Sequence, residues 1–375
     1  MHKLIGLTLA LLAVSATAES RRVYIGTTGQ GPAKGIYVAD FDLVTGTLSG
    51  LKLATAAPNP GFLVMASNGK HLYATSSTSA TGSQRSTGAV AAFSVETDGT
   101  LQEINRQESG GGTCFVTLDA SGQVLLAANY GEGSVSSFPI KGDGSIGPRA
   151  SHFVHQGSSI NPDRQKEPHA HSFYPGPDHL RAYAPDLGID QVVIYTLDPT
   201  TAEVSREGFA KTTPGSGPRH MKFSPDGQHA YVMGEMSLSV MTYSRNPATG
   251  ALDFQQETRV LAEGDSGDGM TCSEILVSTD GKHLYTANRD VAGKGRDSLT
   301  TLVIGEDGSV TRQSEVAAEV RIPRNIQLSP DGNWLLVAGQ ESGGVPVFRL
   351  GSDGTPTSFG HRADVHGAMC IVFAP

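Results

Sequence analysis

The chain has 375 residues, with 37 acidic against 28 basic side chains and a formal charge of −9. A net-acidic chain argues against nucleic acid or an anionic membrane as its main partner. Charged residues at 17% against 38% hydrophobic is a globular balance, and one Trp with 6% aromatics argues against an aromatic sugar-binding platform.

Met1-His2-Lys3 is a short basic opening, residues 4–14 are mostly apolar, and Ala16-Thr17-Ala18 is an A-x-A cleavage pattern. The apolar run is too short to span a bilayer. Residues 1–18 are therefore expected to be a signal peptide cut after Ala18. Residues 19–375 are expected to be one exported domain, secreted or periplasmic, with no membrane insertion after cleavage. Cys114, Cys272 and Cys370 are odd in number and far apart, so they imply no disulfide framework and are expected to be buried, inert thiols.

The rest of the chain repeats. One turn recurs at Asn68-Gly69, Ser121-Gly122, Asp178-His179, Asp226-Gly227, Asp280-Gly281 and Asp331-Gly332, each between short apolar runs. Asn-Gly and Asp-Gly there are hairpin signals, because Gly accepts positive φ without steric cost. A second turn recurs out of phase, from Thr45-Gly46 through Asp98-Gly99, Asp143-Gly144, Thr201-Ala202, Thr249-Gly250 and Asp307-Gly308 to Asp353-Gly354. Seven units of about 51 residues, each with four short strands, predict an all-β fold, a seven-bladed β-propeller. The blades are four antiparallel strands, A to D. Residues 23–27 lack an A strand before them and residues 368–374 lack a B strand after them, so both chain termini are expected to close one shared blade.

The start of A and the end of B meet at the rim of the central channel. The start of A carries Gly61-Phe62, Cys114-Phe115, His171-Ser172, Arg219-His220, Ser273-Glu274 and Arg324-Asn325. The end of B carries Ser76-Ser77, Asn129-Tyr130, Asp186-Leu187, Gly234-Glu235, Asn288-Arg289 and Gly339-Gln340. Polar groups converging on a concavity mark a candidate site. His171, Arg219, His220, Glu235, Glu274, Asn129, Asn288, Arg289 and Arg324 are the candidates. The structural alternative is an ion network of Arg219, Arg289 and Arg324 with Glu235 and Glu274. His169 and His171 have strand spacing for one face, but no third ligand stands out and Arg219 would repel a cation, so no metal and no other cofactor is expected. Asp186 and Asp190 flank Gly188 and read as turn stabilisers. Ser172 has no G-x-S-x-G context. The polar stretch 157–168 breaks the period; as a loop at the entrance it could cover the site and supply a cation from Arg164.

PHAHS (168–172), PDLG (185–188), GPRH (217–220), SEI (273–275), ANR (287–289), IPRN (322–325) and AGQES (338–342) resemble the seven-bladed propeller lactonases over essentially all of residues 19–375. That family includes the bacterial propeller-type 6-phosphogluconolactonase and the fungal 3-carboxy-cis,cis-muconate lactonizing enzyme. The resemblance implies a catalytic constellation at His171, Arg219, Glu235 and Arg289. It places Arg324 and His220 at rim positions and matches Arg164-Gln165 to the loop before PHAH. Two departures stand out: Gly234 replaces an Asn, leaving one fewer amide for a substrate, and the leader exports a protein whose relatives' phosphorylated substrate is cytosolic. Metal-free lactone hydrolysis needs an activated water, an oxyanion stabiliser and a proton for the leaving alkoxide. His171 or Glu235 would be the base, Arg219 and Arg289 the oxyanion partners, and Arg324 or Arg164 a clamp for an anionic group. The expected partner is a small anionic lactone or carboxylate, bound by a monomer. Lactonizing chemistry on an unsaturated diacid, and a non-catalytic binding propeller, are the other readings.

Overall fold

The computed structural model describes residues 19–78, 87–342 and 344–375; the leader expected at 1–18 lies outside them. Seven four-stranded antiparallel sheets follow one another, each innermost strand packed on the next. Blade 1 is Ala368–Phe373, Ser20–Thr27, Gly35–Asp42 and Thr47–Ala56, in that spatial order. The C-terminal strand thus pairs with the N-terminal one, Val23 opposite Phe373 and Gly26 opposite Cys370, as the repeat count required.

The core is divided among seams. Seven apolar clusters occupy the seven gaps between neighbouring blades. Side chains alternate across a strand, so the inner strands feed two seams at once. Val124 and Leu126 pack toward blade 4, while Leu125 packs toward blade 2. A strand buried on both faces loses the apolar–polar alternation, and Val124–Asn129 is buried throughout.

The second set of turns is explained by these seams. Each turn glycine sits against the head of the second strand in the preceding blade. A Cβ at Gly144 would lie 2.2 Å from the His71 ring, and one at Gly308 2.3 Å from His229. Gly46 meets Trp334 in the same way, and Trp334 Nε1–H donates to Leu43 O at 2.8 Å, so the only tryptophan stands where blade 7 meets blade 1. The fourth blade alone has alanine at this position. Ala202 has φ +62°, and the strand facing it offers Val124 instead of a ring. Gly308→Ala forces a methyl into His229 at φ +78° and is expected to cost about 1–3 kcal/mol, read as a lower Tm.

Candidate active site

A β-bulge aims the channel side chains. In five blades the pairing of the innermost strand skips one residue, and the skipped residues are Cys114, Arg219, Ser273, Arg324 and Met369. An extra residue re-aims its own side chain. All but Ser273 line a cavity of about 250 Å³, together with Gly61, Phe62, His171 and His220. Ser273 instead donates its hydroxyl to Pro323 O at 2.5 Å. A second hollow of about 610 Å³ is lined by Tyr130, Arg164, Glu235 and Arg289, and it shares Cys114, His171 and Arg324 with the first. The two form one basin.

Glu235 organises the cations. Its carboxylate takes Arg164 Nη2 at 3.0 Å, Arg289 Nη2 at 3.2 Å and faces Arg219 Nε at 3.5 Å. Burial alone would raise its pKa; the guanidiniums of Arg289, Arg219 and Arg164 outweigh that and hold it at about 2. An ionised carboxylate so engaged is a poor proton acceptor. Arg289 also donates to Cys272 O at 2.8 Å, and Arg164 to Tyr130 Oη at 3.1 Å. Arg324 differs. It makes no hydrogen bond or ion pair among the described residues, although it borders both hollows. Burial, with Arg219 and Arg289 nearby, pushes its guanidinium down to about 9. The ion network weighed from sequence is thus partial: Glu235 engages three arginines and Arg324 stands outside it.

His171 is buried, and Arg219 Nη1 lies against both its ring nitrogens. Burial first, then Arg219, His220 and Arg324, keeps the imidazole well below its ordinary range and therefore neutral. Cys114 lines both hollows instead of being sealed in the core, and burial pushes its thiol up to about 11. Cys272 and Cys370 are buried and pushed up to about 12.

A floor lies below. Phe115, His220, Glu274 and Asn325, each one residue deeper than its blade's bulge, meet Phe62 of blade 2 across the channel; the Phe62 and His220 rings stand 5.8 Å apart edge to face. Glu274 is bound to His220 and Asn325 here and lines neither hollow. Asn129 and Asn288 also turn away from the basin. Asn129 bonds Ser109, Thr113 and Ser134, and Asn288 bonds Ser298 and Thr300. Buried amides clasp neighbouring strands because an unpaired one is costly. Gly234 is corrected on the same ground. A Cβ there would lie 2.2 Å from Ser237 Oγ, and Ser237 and Ser239 fill the space an amide occupies in blades 3 and 6. The missing amide is lost from the blade, not from a substrate.

The loop 157–168 is held at three points. His155 bridges Asp186 Oδ2 (2.6 Å) and Tyr195 Oη (2.7 Å), while Asp186 Oδ1 accepts His169 N–H at 2.7 Å. Asp186 therefore ties both ends of the loop. Asp190 accepts Ser159 Oγ–H at 2.5 Å, Gly215 N–H at 2.6 Å and Gly217 N–H at 2.8 Å. Asp186 Oδ1 also accepts Gly188 N–H at 2.9 Å, so Asp186 stabilises its turn as expected and ties the loop ends besides. Gln165, fully buried, bonds Asn161 N and Leu187 O and fixes the neighbouring Arg164 over Glu235. Asp190→Ala strands two backbone donors and is expected to cost about 2–4 kcal/mol. Limited proteolysis should then cut within 157–168, where wild type resists.

His169 and His171 do not share a ligand. His169 stacks on Tyr130 at 4.5 Å with Nδ1 against Tyr130 O at 2.9 Å. Among the described residues no three His, Cys, Asp or Glu side chains cluster as a metal site. Ser172 Oγ donates to Arg219 O at 2.7 Å, a backbone support for the bulge. Tyr130, Met369, Thr28 and Gln30 in the loop after Ser20–Thr27 of blade 1, and Asn59 in the crossover from blade 1 to blade 2, also line the basin and were not singled out from sequence. Tyr130 follows Asn129 at the end of a B strand, which was the available signal. Thr28, Gln30 and Asn59 lie outside the aligned positions and gave none.

A family model described as lactonase, 7-bladed β-propeller, matches residues 22–373. The 6-phosphogluconolactonase of Bacillus subtilis (strain 168) is 32% identical over 355 residues, 93% of this chain and 97% of that protein. The 6-phosphogluconolactonase of Formosa agariphila is 30% identical over 87% of this chain and 92% of its own length. Among solved structures, the periplasmic gluconolactonase of Pseudomonas aeruginosa superposes with a TM-score of 0.86 at 29% identity, covering 95% of this chain and 99% of that one. A channel basin of arginines on a closed ring of seven blades, matched from the first strand to the last, makes the chain a member of the seven-bladed β-propeller lactonase family.

Proposed function

We propose that the protein is a lactonase that hydrolyses a sugar lactone bearing an anionic group, in the manner of the relatives named 6-phosphogluconolactonase. The observation that carries this reading is Arg324, an unpaired guanidinium between the two hollows of a basin whose other three arginines share one carboxylate. A phosphate or carboxylate is the natural counterion, since a guanidinium binds either through two N–H groups. Arg219, at the bulge beside the neutral His171, is assigned to the carbonyl oxygen, where negative charge develops as water adds. Glu235 holds Arg164, Arg219 and Arg289 in place. We further propose that residues 1–18 direct the protein to the periplasm, supported by the leader pattern and by the periplasmic gluconolactonase among the similar structures.

The test is a pH-stat assay of the mature protein, with chelator, on δ-gluconolactone and its 6-phosphate, each corrected for spontaneous opening. Faster opening of the phosphorylated lactone, with the preference abolished in Arg324→Ala, supports the reading. Equal rates on both lactones would remove the anionic group from it. No acceleration on either would remove the sugar lactone.

A further inference from the structure

Lactone hydrolysis needs a group that accepts a proton from water. Five side chains at the basin could do so. The Cys114 thiol keeps its proton, pushed up to about 11, and Tyr130 Oη is taken by Arg164, which leaves Glu235, His171 and His220. Glu235 is committed to three guanidiniums, and both His171 nitrogens face Arg219. His220 remains.

Its tautomer follows from a chain of hydrogen bonds through four blades. Ile371 N–H donates to Asn325 Oδ1 at 2.9 Å, so the Asn325 amide must present its NH₂ to Glu274 Oε2, at 2.8 Å. Glu274 Oε1 takes Ile275 N–H at 3.0 Å and His220 Nδ1 at 2.8 Å. A carboxylate there only accepts, so the proton of a neutral His220 sits on Nδ1 and its lone pair on Nε2. That nitrogen is buried and has no hydrogen-bond partner. The ring is 2% exposed, forms part of the wall of the 250 Å³ cavity, and stands edge-on to His171 at 5.3 Å and Phe115 at 5.3 Å. A buried acceptor without a partner calls for a donor, and the cavity beside the ring is the nearest space from which one can approach.

We propose that His220 is the general base of the reaction, with Glu274 as its positioning residue; this rests on the lactonase reading above. Water gives a proton to Nε2 as its oxygen bonds to the lactone carbonyl carbon, and the carbonyl π pair moves to the oxygen. When the oxyanion collapses, the ring C–O bond breaks and the Nε2 proton passes to the leaving alkoxide. The product is the open hydroxy acid, which releases its carboxyl proton to solvent, and His220 returns neutral. Glu274 fixes the tautomer and stabilises the transient imidazolium, as a buried carboxylate does behind a catalytic histidine. The charged and titratable neighbours of His220 are Glu274, Arg219, His171, Lys222 and Tyr174. Burial, against the pull of Glu274, sets the imidazole at about 4, so it is neutral at working pH.

The mature protein is assayed as wild type, His220→Gln, Glu274→Gln and His171→Gln, each checked by thermal melting. Loss of a general base is expected to lower kcat by about 10²–10⁴-fold in His220→Gln, with KM within about threefold. Glu274→Gln, nearly isosteric, should lower kcat by at least about tenfold with KM kept; this variant carries the test if His220→Gln does not fold. Imidazole ¹⁵N NMR of wild type should show His220 protonated at Nδ1. A His220→Gln enzyme with near-wild-type kcat, or a wild-type His220 protonated at Nε2, overturns the proposal. If wild type opens no lactone, the lactonase reading fails, and with it the base; the NMR result still decides the relay separately.

Discussion

Arg219→Ala is expected to lower kcat/KM on the preferred lactone by about 10²–10³-fold, the usual loss when one oxyanion donor is removed. The side chain is 2% exposed and occupies the bulge in the innermost strand of blade 5, so no neighbour can swing into its place. Truncation also frees His171 from its contact with Nη1 and removes one of three cations from Glu235. Most of the loss should fall on kcat, because the anion clamp assigned to Arg324 is untouched. Arg324→Ala should do the reverse and raise KM for an anionic lactone more than it lowers kcat. Steady-state kinetics on both variants separates the two roles, and equal effects on KM in both would refute the division.

Glu235→Ala should be the most damaging single change to stability. It leaves Arg164, Arg219 and Arg289 without their shared carboxylate, and breaking a buried ion pair by removing one partner costs about 3–5 kcal/mol. The pH dependence has a definite sign. Glu235 ionises at about 2 when folded, against an ordinary 4.5, so its contribution is full above pH 4.5 and is lost as pH falls toward 2. Glu274, also held at about 2, acts in the same direction. His171 and His220 are depressed from 6.5 and must gain charge on acidification, which begins the decline nearer neutrality. Wild type should therefore melt at progressively lower temperature below pH 6.5. Glu235→Gln should flatten the arm below pH 4.5 and leave the arm above it. A wild-type Tm that held constant from pH 7 to pH 4 would show that these groups are not perturbed.

The ring was legible in the sequence because its punctuation is local: each Asp-Gly turn needs a positive φ that few residues accept. The rim was legible because position along a repeat maps to height in the channel, which found Arg219, Arg289 and Arg324. The pairing among them was not. Which arginine stays free depends on distances across three blades, and nothing along the chain says that Glu235 gathers three while Glu274 turns to His220. The direction of the Asn129 and Asn288 amides was not legible for a related reason. Spacing puts a residue at the rim, but whether its side chain faces the channel or the adjacent strand depends on the hydroxyls of that strand. Asp186 bonds Gly188 in its own turn, as read from the sequence, but the distant partners of Asp186 and Asp190 across the loop were not legible along the chain.

The position of Trp334 has a consequence for watching this protein fold. Its indole touches Gly46 and Leu43, nearly three hundred residues earlier in the chain. The N-terminal three strands of blade 1 are joined to the C-terminal strand by hydrogen bonds and apolar packing, with no peptide bond across that junction. Contacts this distant close late, because loop-closure entropy opposes them until the intervening blades are in place. Tryptophan emission, as distinct from that of the ten tyrosines, therefore reports on the junction of blades 7 and 1. A red shift in emission that precedes the loss of far-ultraviolet ellipticity would register an unlatched ring with six blades still formed.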